Sequence, residues 1–91
     1  MEIFYTEEAD QDLTGIYDYI GKDNESAARS HVGKIRKRID LLKDYPNFGK
    51  RFGKHKFIIA EKHKVFFLPP KDGVIYIVRV LHGKMDHRRH L

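Results

Sequence analysis

Basic and histidine side chains in the C-terminal half of this sequence are the residues best suited to chemistry. Cleaving RNA through its 2′-hydroxyl needs a base, an acid at the leaving oxygen, and cations that stabilise the charge developing on the phosphate. Lys54 and Lys56 in a glycine-containing loop and Arg79 on a predicted strand are candidate cations, and His82 at the end of that strand is the candidate acid or base. These four residues are the catalytic set expected if the protein is a ribonuclease.

The same residue types suit binding without catalysis. A basic loop at residues 46–56 carries Lys50, Arg51, Lys54 and Lys56. Phe48 and Phe52 alternate with these charges and offer apolar contact beside them, and loops of this kind commonly carry function. A cationic run is also often only a solvated face. The sequence leaves open whether the loop contacts DNA, a protein or solvent alone.

Cofactor and metal chemistry find little support. The chain has no cysteine, which excludes disulfides, thiolate zinc sites and cysteine nucleophiles. It also has no glycine-rich phosphate loop. His87 and His90 lie one helical turn apart with His82 nearby, but three histidines without a fixed carboxylate or cysteine partner are weak evidence for a metal site. We expect neither a cofactor nor a metal.

Composition and charge limit the class of protein. The 91 residues are 41% apolar and 34% charged, which predicts a single domain, residues 1–91, with one layered core. No apolar run approaches the length of a membrane span, and the acidic N-terminus is unlike a secretory signal. We therefore expect a cytoplasmic protein without membrane contact. Residues 1–28 hold eight acidic side chains and one basic one, whereas the rest of the chain is strongly basic within a net charge of +5. This split predicts a surface that meets an anionic partner.

The chemistry-bearing residues must be positioned by a small α+β fold. Residues 3–5 read as a strand, and Thr6 is placed to cap a helix that ends at Gly21. A second helix begins at Asp23 or Asn24 and is closed by Tyr45-Pro46. Its short link to the first helix predicts an antiparallel helical hairpin.

Three further strands are predicted at residues 56–60, 63–68 and 74–81. Glu61-Lys62 forms a tight hairpin between the first two, and Asp72-Gly73 marks the next turn. The last strand is apolar on both faces, which predicts an interior position. The expected order is β-α-α-β-β-β, with the helical hairpin packed on a small, mostly antiparallel sheet.

The sequence also predicts the position or contacts of three single residues, Asp12, Met85 and Asp86. Asp12, with Glu8 and Asp18, is predicted on the solvated outer face of the first helix. Met85 is predicted to plug the core beneath the C-terminal tail. Asp86 is predicted to cap the final turn or to pair with Arg79 or Lys84.

Three groups of residues, spread over nearly the whole chain, form a recognisable pattern. They are Ala9-x-x-Asp12-Leu13-x-x-Ile16-x-x-Tyr19-Ile20, Ala27-Ala28 with Pro46-x-x-Gly49-Lys50, and Val65-Phe66-Phe67-Leu68-Pro69 with Ile77-Val78-Arg79-Val80-Leu81-His82-x-x-Met85-Asp86. Together they resemble the ParE/RelE toxin superfamily of bacterial type II toxin–antitoxin systems. The last group resembles the ParE branch in particular.

The resemblance implies a protein that poisons DNA gyrase, traps cleaved DNA and blocks replication. It also implies a ParD-like antitoxin, which neutralises the toxin by wrapping an otherwise disordered segment around it. ParE-like toxins are thought to use their C-terminal segment against gyrase. The target-binding residues expected on this basis are His82, Lys84, Asp86, Arg88 and Arg89.

The RelE branch shares the fold but enters the ribosome and cuts messenger RNA. Such ribonucleases usually carry a tyrosine or similar aromatic residue in the tail. In this sequence the only aromatic side chains after Tyr76 are those of histidines. Glu61 lies in a predicted turn, and His82 is more simply read as a histidine that ends a strand and bonds the backbone. We therefore favour a non-enzymatic gyrase inhibitor that forms a homodimer or a toxin–antitoxin hetero-oligomer. The alternatives are a ribosome-dependent messenger-RNA endonuclease and a homologue that only binds its antitoxin.

Overall fold

Two helices lie on one face of a five-stranded sheet. The computed structural model describes residues 1–91. The strands are β1 (Glu2–Tyr5), β2 (Lys50–Phe52), β3 (His55–Ala60), β4 (His63–Phe67) and β5 (Val74–His82), and the helices are α1 (Glu7–Gly21) and α2 (Glu25–Asp40). Short 3-10 turns cover Leu41–Lys43 and His87–His90. The strand order is β1-β5-β4-β3-β2, with β1 parallel to β5 and every other pair antiparallel. The predicted α+β architecture is confirmed.

Strand β2 corrects the prediction that residues 46–56 form a loop. Gly49 and Gly53 have φ angles of 109° and 63°, which let the chain turn at both ends of this short strand. The strand pairs with β3 from Lys50 opposite Phe57 to Phe52 opposite His55. A strand of three residues is too short to show an alternating pattern, so the sequence does not reveal it.

Side-chain caps begin both helices. The Thr6 side-chain oxygen accepts a hydrogen bond from the Ala9 N–H, and its hydroxyl donates to the Val78 carbonyl of β5 at 3.0 Å. The Asn24 side chain accepts from the Ala27 N–H at 3.0 Å, which identifies Asn24 rather than Asp23 as the cap of α2. Helix α2 ends at Asp40 and a 3-10 turn follows at Leu41–Lys43, so the prediction that the helix continues to Tyr45-Pro46 is wrong at this end.

Both predicted turns are present. Glu61 and Lys62 have φ angles of 48° and 69°, and Asp72 and Gly73 have φ angles of 53° and 76°. Two consecutive residues with positive φ are the hallmark of the tight turns that match strand twist. Strand β5 pairs with β1 on one side and β4 on the other, so its predicted interior position is also confirmed.

A bulge in β5 changes which of its side chains face the helices. Phe66 is opposite Arg79 and Phe67 is opposite Ile77, so Val78 is an extra residue. Ile77 therefore faces the core before the bulge, and Val80 faces it afterwards. Arg79 is displaced from the core row as a result.

Two apolar clusters hold the sheet from opposite sides. The main core lies between the helices and the sheet and includes Leu13, Ile35, Ile39, Val65, Phe67 and Ile75. Phe66 alternates with Val65 and Phe67 and so faces the other side of the sheet. There it contacts Phe52, Phe57 and His87, with ring centroids 5.1–5.5 Å away. This second group is termed the aromatic cluster.

Candidate target-binding surface

The charged pair formed by Asp12 and Arg79 joins three parts of the molecule. Arg79 Nε and Nη2 donate to the two Asp12 carboxylate oxygens at 2.8 and 2.9 Å. Asp12 also accepts the Val80 N–H at 2.9 Å, and Arg79 Nη1 donates to the His90 carbonyl at 3.2 Å. The two side chains are only 14% and 22% exposed, so the prediction of a solvated Asp12 is wrong. The reason is that α1 crosses the end of β5, where Asp12 meets a backbone N–H as well as Arg79.

The Arg79 guanidinium is already bound within the chain. The hydrogen bonding that Arg79 donates to Asp12 raises the pKa of Arg79, and the nearby Asp12 and Glu8 charges act in the same direction. Because three of its donor bonds are made within the chain, this cation is neutralised where it sits. Arg79 therefore links β5 to α1 and to the last turn.

An open recess of about 510 Å³ lies beside this pair. Its walls come from α1, α2, the β3–β4 turn and the end of β5, and they include Tyr19, Ile20, His31, Lys62, His82 and Met85. Met85 is 38% exposed at the rim, so the prediction that it plugs the core is wrong. The turn after β5 buries His87 instead, which leaves Met85 outside.

Three imidazole rings from different elements stack edge to face at the recess. The His31 and His63 centroids are 5.8 Å apart, and the His63 and His82 centroids are 5.5 Å apart. His63 Nδ1 lies 3.0 Å from the Glu61 carbonyl, to which it donates. Burial lowers the pKa of His63, and the Glu61 hydrogen bond only partly opposes this effect.

His82 uses its side chain to shape the end of β5. Its Nδ1 accepts a hydrogen bond from the Lys84 N–H at 3.2 Å, and the imidazole is exposed. This is the backbone contact expected of a histidine that ends a strand. No hydrogen bond or ion pair joins His82 to Arg79, Lys54 or Lys56.

The C-terminal tail, residues 83–91, is anchored by His87. Its imidazole is 7% exposed and inserts into the aromatic cluster, 5.1 Å from the Phe66 ring and 6.2 Å from the Phe52 ring. Its Nε2 donates to the His82 carbonyl at 3.0 Å. Sequence reasoning missed this anchor, since a single histidine in a basic tail has no periodic signal.

The anchor leaves the charged tail side chains on the surface. Lys84, Arg88 and Arg89 are exposed. Asp86 pairs with Arg89 at 3.5 Å and makes no side-chain cap, so its predicted pairing with Arg79 or Lys84 is wrong. The 3-10 turn places Asp86 and Arg89 three residues apart on one face, whereas Asp12 occupies Arg79.

The basic residues predicted on a loop lie on the β2–β3 hairpin instead. Lys50 and Arg51 are on β2, Lys54 is in the turn, and Lys56 is on β3. The first three are exposed, and Lys56 Nζ donates to the Asn47 carbonyl at 2.7 Å. The hairpin is therefore a cationic edge of the sheet.

No group of three or more histidine or carboxylate side chains is arranged to hold a metal ion. Neither helix is long and apolar enough to span a membrane.

Sequence similarity to known proteins extends over most of the chain. The family model described as the ParE toxin of the type II toxin–antitoxin system parDE matches residues 3–87. Toxin RelE2 of Caulobacter vibrioides is 30% identical over 89 residues, which cover 90% of this chain and 94% of that protein. Both matches define a toxin of the ParE/RelE superfamily, as the sequence pattern predicts. The chain belongs to the ParE toxin family of type II toxin–antitoxin systems.

A solved structure shares the fold. It is described as the chromosomal ParDE toxin–antitoxin system from P. aeruginosa, and it superposes with a TM-score of 0.79 at 24% identity. The match covers 90% of this chain and 95% of that one. The two chains therefore share the helical hairpin packed on a mostly antiparallel sheet.

Proposed function

We propose that this toxin acts in the cytoplasm as a non-enzymatic inhibitor of DNA gyrase, and that a ParD-like antitoxin neutralises it. The observation that supports this proposal is the structure of the C-terminal tail. His87 fixes the tail to the aromatic cluster, while Lys84, Arg88 and Arg89 remain exposed. An anchored segment with outward cations is suited to binding a large partner, since little conformational entropy is lost on binding. His82 and Asp86 shape the same segment and belong to the proposed contact surface.

The site chemistry supports inhibition by binding rather than catalysis. Arg79 is neutralised by Asp12, and Lys56 is bonded to a backbone carbonyl. His82 Nδ1 is occupied by the Lys84 N–H. A ribonuclease needs an acid, a base and a cation that converge on one phosphate. Arg79, Lys56 and His82 instead each bind a different partner within the chain.

A ribosome-dependent messenger-RNA endonuclease is the second candidate. One observation favours it, since Arg79 and His82 line the same recess as Lys62. In this alternative, nucleotide binding draws Arg79 away from Asp12 and onto a phosphate, with Lys54 and Lys56 holding the RNA. His82→Ala would then abolish cleavage.

A paired assay tests both candidates. Purified toxin is added to gyrase and supercoiled plasmid, and trapped cleavage complexes are scored. A translating extract receiving the same toxin is examined for cut messages. Gyrase cleavage complexes with intact messages support the proposal, whereas cut messages with unaffected gyrase establish the alternative.

A charge-reversal variant tests the tail. Replacing Lys84, Arg88 and Arg89 with glutamate should abolish gyrase inhibition while the thermal unfolding temperature stays near that of the parent. The matched control replaces Lys22, Lys37 and Lys71, which are exposed elsewhere, and so makes the same change in net charge. Inhibition that survives in the tail variant, or is lost equally in the control, contradicts the assignment of the tail.

A further inference from the structure

The side of the sheet that faces away from the helices, termed the outer face, lacks acidic residues over most of its width. Strands β2, β3, β4 and β5 contain no aspartate or glutamate. Only β1 carries one, Glu2, and β1 lies at the opposite edge of the sheet from β2. Five of the eight acidic side chains of residues 1–28 lie on α1, which packs against the other face. The chain is therefore divided between an acidic first helix and a sheet face without carboxylates.

Three lysines from separate elements lie on the outer face or at its border. Lys50 on β2 is directly opposite Phe57 of β3, so the two side chains point to the same side of the sheet. Lys64 on β4 is two residues from Phe66 and shares its side. The Lys64 Nζ lies 4.8 Å from the centre of the Phe57 ring. Lys54 is exposed in the turn that joins β2 to β3. None of the three lysines forms an ion pair within the chain.

The aromatic cluster brings the cations of the tail to the same face. The His87 ring lies 5.1 Å from the Phe66 ring and 6.2 Å from the Phe52 ring, so the tail is held against the outer face. Lys84 and Arg88 are exposed on either side of this anchor and form no ion pair. Together with the three lysines, they give this face five cations that are not neutralised within the chain.

The basic side chains of α2 and the turn after it are placed differently. Four of the six are already in contact with groups of the same chain. These contacts are Lys34 with Glu61, Arg36 with the Tyr5 ring, Arg38 with the Ile59 carbonyl, and Lys43 with Asp40. Position on the helices therefore leaves few cations for a partner, whereas all five on the outer face are available.

The arrangement of these cations indicates the chemistry of the partner. Duplex DNA carries one phosphate charge about every 1.7 Å along its axis, and lysine binds phosphate as a point charge without a fixed orientation. Cations from several elements can therefore all find a phosphate on one duplex. A peptide partner also needs apolar surface, but the centre of this face offers little, since Phe66 is fully buried and Phe52 and Phe57 are half-buried.

We propose that the outer face binds the phosphate backbone of DNA directly. The identity of the anion rests on the proposed function, because a toxin bound to gyrase lies close to the DNA that gyrase holds. The inference adds a contact between toxin and DNA to the contact between toxin and gyrase. The lysines of the sheet then contribute to inhibition together with the tail.

DNA binding by the purified toxin, without gyrase, tests this inference. Fluorescence anisotropy of a short labelled duplex at several salt concentrations gives the affinity and its salt dependence. A Kd of about 1–100 μM is expected near physiological salt, which is the range of sequence-independent DNA binding. The affinity should fall as salt is raised, because each phosphate contact releases counterions.

A sheet variant and a control of equal net charge locate the contact. In the sheet variant, glutamine replaces Lys50, Lys54 and Lys64. In the control, glutamine replaces three lysines that are exposed elsewhere, Lys22, Lys37 and Lys71. Loss of three phosphate contacts should weaken binding by roughly tenfold or more and lower the slope of log K against log salt by about 2.7. The control should stay within twofold of the parent. Thermal unfolding checks that both variants remain folded.

The same two variants are then compared in the gyrase assay. The sheet variant should trap fewer cleavage complexes than the control, because it has lost contacts with the DNA in the complex. Equal trapping by the two variants would overturn a role for these lysines in inhibition.

The outcomes separate this inference from the proposed function. Weaker DNA binding by the sheet variant than by the control supports the inference even if the parent toxin leaves gyrase unaffected. DNA affinities of the two variants within twofold of each other overturn it, whatever the gyrase assay shows. Single-stranded RNA that displaces the labelled duplex at a lower concentration than unlabelled duplex does also overturns it, and assigns the face to RNA.

Discussion

The Asp12 carboxylate serves three donors at once, two from Arg79 and one from the Val80 backbone. A helical periodicity cannot reveal this, because Asp12 is adjacent to the core residue Leu13 and its partner is 67 residues away. The sequence therefore predicts a solvated acid where the fold has a paired one. Thr6 and Asn24 were predictable, since a cap acts on residues three positions away.

Removing the Asp12 charge should destabilise the fold. Asp12→Asn retains an oxygen for the Val80 N–H but leaves Arg79 without its counter-ion, so we expect the free energy of unfolding to fall by about 1–3 kcal/mol. Urea denaturation measures the change. Asp18→Asn is the control, because Asp18 is exposed on the same helix and forms no ion pair. Equal stabilities of the two variants would show that the pair contributes nothing.

Gly49 and Gly53 differ in what an added methyl group would meet. At Gly49 a Cβ would lie 2.8 Å from the Phe57 carbonyl oxygen, whereas at Gly53 nothing lies within 4 Å. Both have positive φ. We expect Gly53→Ala to cost about 1 kcal/mol from backbone strain alone, and Gly49→Ala to cost about 2–4 kcal/mol because the clash adds to it. Chemical denaturation measures the free energy of unfolding of both variants. A smaller loss of stability for Gly49→Ala than for Gly53→Ala would contradict this prediction.

Elements with a long apolar repeat were predicted within about one residue, apart from the end of α2, which lies at Asp40 and not at Tyr45, whereas strand β2 was missed. The helical hairpin and strands β3, β4 and β5 each carry enough apolar positions to show their period. Strand β2 has three residues, and the tail has no period at all. The tail is instead held by one side chain, His87, in a cluster assembled from β2, β3 and β4.

The order of the C-terminal tail should depend on the His87 side chain. His87→Ala empties a buried site and removes the bond to the His82 carbonyl, so backbone amides of residues 83–91 should exchange faster with solvent. Gyrase inhibition should fall with the lost order. His90→Ala is the control, because Arg79 binds the His90 backbone carbonyl and not its side chain. Hydrogen exchange followed by mass spectrometry compares them, and equal protection in both variants would rule out His87 as the anchor.

At the scale of the whole molecule, cations and histidines are distributed around a sheet that is packed on both faces. Buried histidines make such a fold sensitive to mild acid. Burial lowers the pKa of His55, with the Lys54 charge adding to the effect, and burial also lowers the pKa of His63. Both rings are therefore favoured in their neutral form by folding.

The expected consequence is a loss of stability between pH 7 and pH 5. An unfolded histidine takes up a proton near pH 6.5, before the folded one does, so acid favours the unfolded chain as pH falls through this range. Urea unfolding at several pH values measures the slope. His63→Asn and His55→Asn should each reduce the slope. A stability that is flat or rises on acidification would contradict the direction of both shifts.

The pairing of β1 with β5 has a consequence for synthesis of the toxin. Glu2 at the start of the chain is opposite Val74, and β1 has no other partner in the sheet. On the ribosome, β1 and the helical hairpin emerge while most of the sheet that must cover their apolar faces is still unmade. Contacts this distant in sequence delay folding until the later segment is available. A message broken before the codons for residues 74–82 therefore yields a chain without its interior strand, without Arg79 and without the tail, and such a fragment should not reach the folded state.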